Sequence, residues 1–248
     1  MEQVQSTKAA RTPLPGKAKV GFAILAIYVL LGVLGPMLLP FDPDKANVLQ
    51  RLKPPSSTHW LGTDQLGRDF LIRLLIAIRV DIPVALAAAF FPMVIGTVLG
   101  AIAGYYGRFT DIIVSRAADM VQAFPVYVFL LVLVFALGSG ATSFIIAATA
   151  IAWVGYARLT RGEVLRLKGQ EFVAAARVTG LPEWKILVTH VMPNALPQTL
   201  IYFMSDVVLM VLVLSSLSFL GVGIQPPTAE WGRMISEGQP FLHSHWRL

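Results

Sequence analysis

Residues 20–41, 82–107, 120–157 and 207–229 contain no Asp, Glu, Lys or Arg. An α-helix rises ~1.5 Å per residue, so about 20 apolar residues cross the ~30 Å hydrocarbon layer of a bilayer. The first, second and fourth runs are each one crossing. The third, 38 residues long, makes two, with Gly138-Ser139-Gly140 as the turn between them. The pattern predicts an all-α, polytopic membrane helix bundle with five spans, at about 20–40, 82–104, 118–137, 142–158 and 198–220.

Composition agrees. Only 14% of the 248 residues are charged and 56% are hydrophobic, against roughly 25% charged in an average soluble domain. So little polar surface cannot cover a soluble core, and so apolar a chain is not disordered. The absence of cysteine removes a disulfide scaffold and leaves the redox compartment open.

Loop charge sets the orientation, because Lys and Arg accumulate on the cytoplasmic side. Lys8, Arg11, Lys17 and Lys19 precede the first span. With the N-terminus inside, twelve basic residues lie inside and eight outside. Residues 1–19 then form a cytoplasmic tail, and 20–248 the membrane domain. The first span is too long for a signal peptide and lacks an A-x-A site, so it reads as an uncleaved anchor. Most of the +6 net charge is topological. Basic residues beside spans, without interleaved aromatics, do not make a nucleic-acid-binding face.

Two loops carry chemistry. The outer one, 41–81, holds Leu61-Gly62-Thr63-Asp64-Gln65-Leu66-Gly67-Arg68-Asp69. After it Phe70, Leu71, Leu74, Leu75 and Ile78 fall at helical spacing, predicting an amphipathic helix lying on the membrane or on a neighbouring chain. His59 has no second group at metal-ligand spacing, and His243-x-His245 is a bare terminal pair. The inner loop, 158–197, predicts a short helix over Glu171–Thr179 closed by Gly180. A second starts at Leu181-Pro182-Glu183-Trp184 and stops before Met192-Pro193. Together they form a knob with Ala174, Ala175 and Ala176 on its surface.

The inner loop resembles the E-A-A-x3-G-x9-I-x-L-P loop of importer-type ABC transporter permeases. Ala174, Ala175 and Ala176 stand at the E-A-A positions, Gly180 at the glycine and Pro193 at the proline. Ala174 replaces the usual Glu and His190 the usual Ile, a departure shared with the peptide and nickel branch, whose members often carry a Glu three residues earlier, here Glu171. The L-G-T-D-x-x-G-R-D motif of that branch is matched from Leu61 to Asp69, and a third match runs from Ser218 to Gly232. The chain is similar to the C-type permease subunit of a dipeptide or oligopeptide importer.

The resemblance implies half of a translocation pathway for peptides, in a bacterial inner membrane. Its implied partners are a second permease subunit, two ATP-binding subunits that alone bind ATP, an extracytoplasmic solute-binding protein and the lipid bilayer. The knob becomes a coupling helix docked on an ATPase. Ala174, Ala175 and Ala176 would allow close approach, Glu171 and Arg177 would anchor the rim, and Gly180 and Pro193 would shape the corner. Nickel or another small solute is the alternative cargo. Family members run on through a sixth span, so this chain would end one helix short, as a functional five-helix half or a truncated, non-transporting product. From the residues themselves, no G-x-x-x-x-G-K-[ST] loop or Ser/His/Asp cluster exists, so the chain is not expected to be an enzyme and needs no cofactor of its own. Asp206 is the ionisable residue inside span five, either packed against a partner helix or facing the pathway. Arg116 and Asp119, three apart, are placed to pair, and Pro83, Pro92 and Pro125 to kink their spans.

Overall fold

The structure is a computed structural model and describes residues 16–38 and 42–244. The tail 1–15, Pro40-Phe41 and His245 lie outside those residues. Among the described residues nine α-helices follow in order: α1 (Gly16–Leu38), α2 (Phe70–Tyr106), α3 (Arg108–Gln122), α4 (Val126–Leu137), α5 (Ala141–Lys168), α6 (Glu171–Val178), α7 (Glu183–Ile186), α8 (Met192–Phe219) and α9 (Trp231–Gly238). Among the described residues no strand forms beyond one isolated bridge, Thr63 to Asp69. Four helical segments among the described residues are long and apolar enough to cross a membrane, and five if α3 and α4 count as one broken crossing.

Helices α2 and α5 form the central pair. Gly96, Gly100 and Gly104 lie four residues apart on one face of α2 and meet the α5 backbone at Trp153, Ala157 and Arg161. A β-carbon at Gly104 would come within 2.8 Å of the Arg161 carbonyl. Lipid is as apolar as leucine, so burial alone does not drive spans together; small residues that let backbones approach do. Ala85, Ala88, Ala89, Ala147 and Ala148 continue this packing toward α4 and α8, around Phe144, Val134 and Leu214.

Four of the five predicted spans are single long helices with shifted ends, and the third is a bent pair. The amphipathic stretch from Phe70 is no separate surface helix. It is the outer third of α2, which runs unbroken for 37 residues through Pro83 and Pro92. Its arginines end nothing because carbonyls outside the helix answer both. Arg73 donates to the carbonyls of Pro43 and Pro227, both at 3.2 Å. Arg79 donates to the Gly32 and Val33 carbonyls of α1 at 2.5 and 2.6 Å. Gly32 is four residues before Pro36, which has no N–H to give it, so Arg79 supplies the missing donor and pins α1 to α2.

Span three, expected at 118–137, is two helices bent by 85° at Ala123–Pro125. The residue before proline is driven out of helical conformation. Helix α3 is held to α5 by Asp111 with Arg161, at 2.5 and 2.6 Å, and by Asp119 with Arg158 at 3.0 Å. Asp119 therefore pairs across helices rather than with Arg116. The same pairs let α5 continue to Lys168, ten residues past its expected end at 158. Nor does the chain stop before Met192-Pro193. Helix α7 passes through a π turn, Leu187–Val191, straight into α8. Pro193 lacks the N–H that an α turn would use, and a widened turn absorbs that loss.

Candidate functional site

The inner knob is built as its glycine dictates. Helix α6 ends at Val178, and Gly180 follows at φ 77°, a left-handed conformation that only glycine enters cheaply. Nothing lies within 4 Å of where its β-carbon would be, so the constraint there is conformational, not steric. The three alanines do not share a face. Successive residues turn by about 100° around a helix. Val173 and Ala176 point inward among Ala101, Val164, Leu167, Ile186 and Ala195, while Glu171, Ala174 and Ala175 are exposed. Pro193 is exposed in the first turn of α8.

Arg177 is tied within the knob. Its Nε donates to Glu183 at 3.1 Å, and Glu183 also accepts from the Tyr105 hydroxyl in the last turn of α2. Lys168, at the end of α5, donates to the Tyr105 backbone carbonyl and stands 5.3 Å from the Tyr105 ring centroid. Tyr105, Glu183 and Lys168 carry no signal at the motif level. A signal that could lead to them is the glycine stripe of α2, whose last member directly precedes Tyr105.

The outer motif is a clasp that satisfies itself. Gly62 and Gly67 take φ of 82° and 74°, and a β-carbon on Gly67 would collide with the Asn47 carbonyl. The Thr63 hydroxyl donates to the Gln50 carbonyl and accepts from the Lys53 N–H at 2.9 Å. Asp64 accepts the N–H groups of Leu66 and Arg68 at 2.8 and 2.9 Å, and the Arg68 guanidinium at 2.6 Å. Asp69 caps α2 through the Ile72 N–H at 2.9 Å and bonds His59 Nδ1 at 2.8 Å. His59 Nε2 meets Gln50 at 3.1 Å. Thr63, Asp64, Arg68 and Asp69 are all at most 6% exposed, whereas Leu61 is exposed.

The clasp reaches the third motif through Glu237 of α9, which accepts from Gln65 at 2.8 Å, Arg68 at 2.9 Å and Arg233 at 3.1 Å. Burial opposes ionisation of Glu237, yet the Gln65 amide and the charges of Arg68 and Arg73, with Arg233, hold its carboxyl below the usual range. Glu230 caps α9 through the N–H groups of Gly232 and Arg233, at 2.9 and 2.7 Å. Burial outweighs those bonds and pushes its carboxyl up. The Trp231 N–H is received by Asp81 of α2 at 3.0 Å.

Asp206 sits mid-way along α8 and accepts the Tyr156 hydroxyl of α5 at 2.8 Å. It also lines a cavity of about 400 Å³ with Gln122, Tyr127, Gly155 and Tyr202. Among the described residues no group of three or more His, Cys, Asp or Glu side chains is arranged to hold a metal.

Residues 96–244 match the family of the binding-protein-dependent transport system inner membrane component, and residues 17–55 the N-terminal TM domain of oligopeptide transport permease C. The chain is 38% identical over 232 residues to the oligopeptide transport system permease protein OppC of Bacillus subtilis, covering 93% of this chain and 76% of that protein. It is 35% identical over 230 residues to the dipeptide permease DppC of the same organism, covering 92% and 72%. Against the nickel permease NikC of Escherichia coli it is 36% identical over 224 residues, covering 90% and 81%.

Proposed function

Because the chain belongs to the binding-protein-dependent transport system inner-membrane family, among oligopeptide, dipeptide and nickel permeases, we propose that it forms half of a peptide pathway and is driven through its inner knob. The observation that carries this reading is the knob itself. It is a two-helix projection packed on the ends of α2, α5 and α8, offering Glu171, Ala174 and Ala175 to an approaching protein. Ala176, Arg177, Gly180 and Pro193 give that projection its shape. The motor is a pair of separate ATP-binding subunits, which hold the ATP, so this chain carries no cofactor and catalyses no hydrolysis.

The remaining partners are a second permease subunit, an extracytoplasmic solute-binding protein and the lipid of a bacterial inner membrane. The N-terminal tail, residues 1–19, and the coupling loop, 158–197, lie in the cytoplasm; the loop 41–81 lies outside. Asp206 faces the pathway from the cavity between α4, α5 and α8, where its carboxyl suits the ammonium terminus of a peptide. Nickel is the second reading, because the nickel relative is as similar as the peptide ones, 36% against 38% and 35%.

Gly180→Val tests the knob. A branched side chain cannot adopt a left-handed backbone without strain of roughly 1–2 kcal/mol, so the corner deforms while the spans stay intact. The variant is expected to insert normally and to lose ATP-driven uptake. Wild-type uptake by Gly180→Val overturns the coupling reading.

A further inference from the structure

The knob can hand its motion to the spans along the chain, through the π turn into α8, or across elements through packing and bonds. Helix α6 touches the bundle through Val173 and Ala176, which are small, apolar contacts that slide without a directional bond. The polar route is narrower. A side-chain bond from the knob to α2 and one from α5 to α2 meet at a single residue. The Tyr105 hydroxyl donates to Glu183, which holds Arg177 of α6 with its other oxygen. The Tyr105 carbonyl accepts from Lys168, the last residue of α5. That carbonyl is among the last four of α2, which lack partners within their own helix, and a lysine there is also favoured by the negative end of the helix dipole.

Tyr105 is 2% exposed and follows Gly104, the innermost member of the stripe that seats α2 against α5. A side chain so enclosed cannot swing to follow the knob; it must carry α2 with it. Resting on the coupling reading above, we propose that Tyr105 is the positioning residue that transmits knob movement to the spans, its hydroxyl taking the load from Glu183 and its carbonyl sharing it with α5 through Lys168. The residues that dock the motor and the residue that passes its stroke onward are thus different, and they lie on different helices.

The test uses the complex assembled with its second permease chain and ATP-binding subunits. The chain has no cysteine, so spin labels at Thr58→Cys and Ser139→Cys report the separation of the outer loop from the outer turn between α4 and α5. Addition of ATP is expected to change that distance in the wild type. Tyr105→Phe keeps the ring and removes the hydroxyl. It is expected to retain the ATP-binding subunits and their hydrolysis while the population reaching the ATP-driven distance falls about tenfold, an ordinary size for coupling between sites. Glu183→Gln, which keeps an acceptor for the hydroxyl, is expected to move as the wild type does, whereas Glu183→Ala behaves like Tyr105→Phe. A merely structural role for the hydroxyl would not separate these two Glu183 variants.

Wild-type movement in both Tyr105→Phe and Glu183→Ala overturns the inference. If Gly180→Val loses the movement while those two keep it, the coupling reading stands and only the route through Tyr105 falls. If Gly180→Val also moves normally, the coupling reading itself falls. Should Tyr105→Phe fail to assemble, the comparison of Glu183→Gln with Glu183→Ala decides alone, since Glu183 is exposed on the knob.

Discussion

Glycines in this chain do two opposite jobs, and substitution tells them apart. At Gly100 an added methyl meets the Ala157 carbonyl of α5, whereas at Gly162, on the exposed side of α5, nothing lies within 4 Å. Gly100→Ala is therefore expected to cost ~1–3 kcal/mol as overpacking at a helix contact. Gly162→Ala is expected to be neutral or to stabilise by roughly 0.5–1 kcal/mol, because alanine loses less backbone freedom in a helix. Unfolding of the two variants in detergent measures the difference; equal effects would show that the stripe is not the close contact. The stripe was legible in the sequence as three glycines spaced by four, although no charge or hydropathy rule pointed to it. Gly180 was legible for the other reason, since a glycine between a helix and Leu-Pro suits a left-handed corner.

At the level of elements, charge-free runs located the four long helices but not their ends. Charge was expected to stop a helix, and it does not where the charge is answered from elsewhere. Arg73, Arg79 and Asp81 lie inside α2, and Arg158 and Arg161 inside α5, each with a partner brought from another element. Such partners are 29 or more residues away in sequence for most of these groups, beyond the reach of any local rule. The bend at Pro125 was foreseen as a kink and is a full break. In the outer motif the pattern was recognisable but its work was not: its residues spend themselves holding the loop to α2 and α9.

The clasp has a pH signature. A carboxyl held below its ordinary value adds stability that is present above the unfolded value and is lost as pH falls through the lowered folded one. Glu237 is such a group, so α9 is expected to stay protected from hydrogen exchange at neutral pH and to open only in acid. Glu237→Ala is expected to abolish that protection at neutral pH, leaving the three donors Gln65, Arg68 and Arg233 without their common acceptor. Unchanged exchange in α9 would show that the apolar contacts of Met234 and Trp231 suffice.

For the whole molecule, an inside N-terminus makes the outer loop and the knob report from opposite sides. Ser57 and Val178 are both exposed, and the absence of native cysteine leaves no background. In the chain expressed alone in cells, an impermeant thiol reagent is expected to label Ser57→Cys directly and Val178→Cys only after permeabilisation. The reverse pattern would invert the topology. Thirty-seven residues give α2 a length of about 55 Å, well beyond the ~30 Å that lipid requires. Its outer end is gripped by the clasp and its inner end by the knob. A stiff rod clamped at both ends obeys thermodynamic reciprocity: whatever free energy a nucleotide-driven load at one end contributes to the affinity of a ligand at the other, that ligand returns to the first end in equal measure.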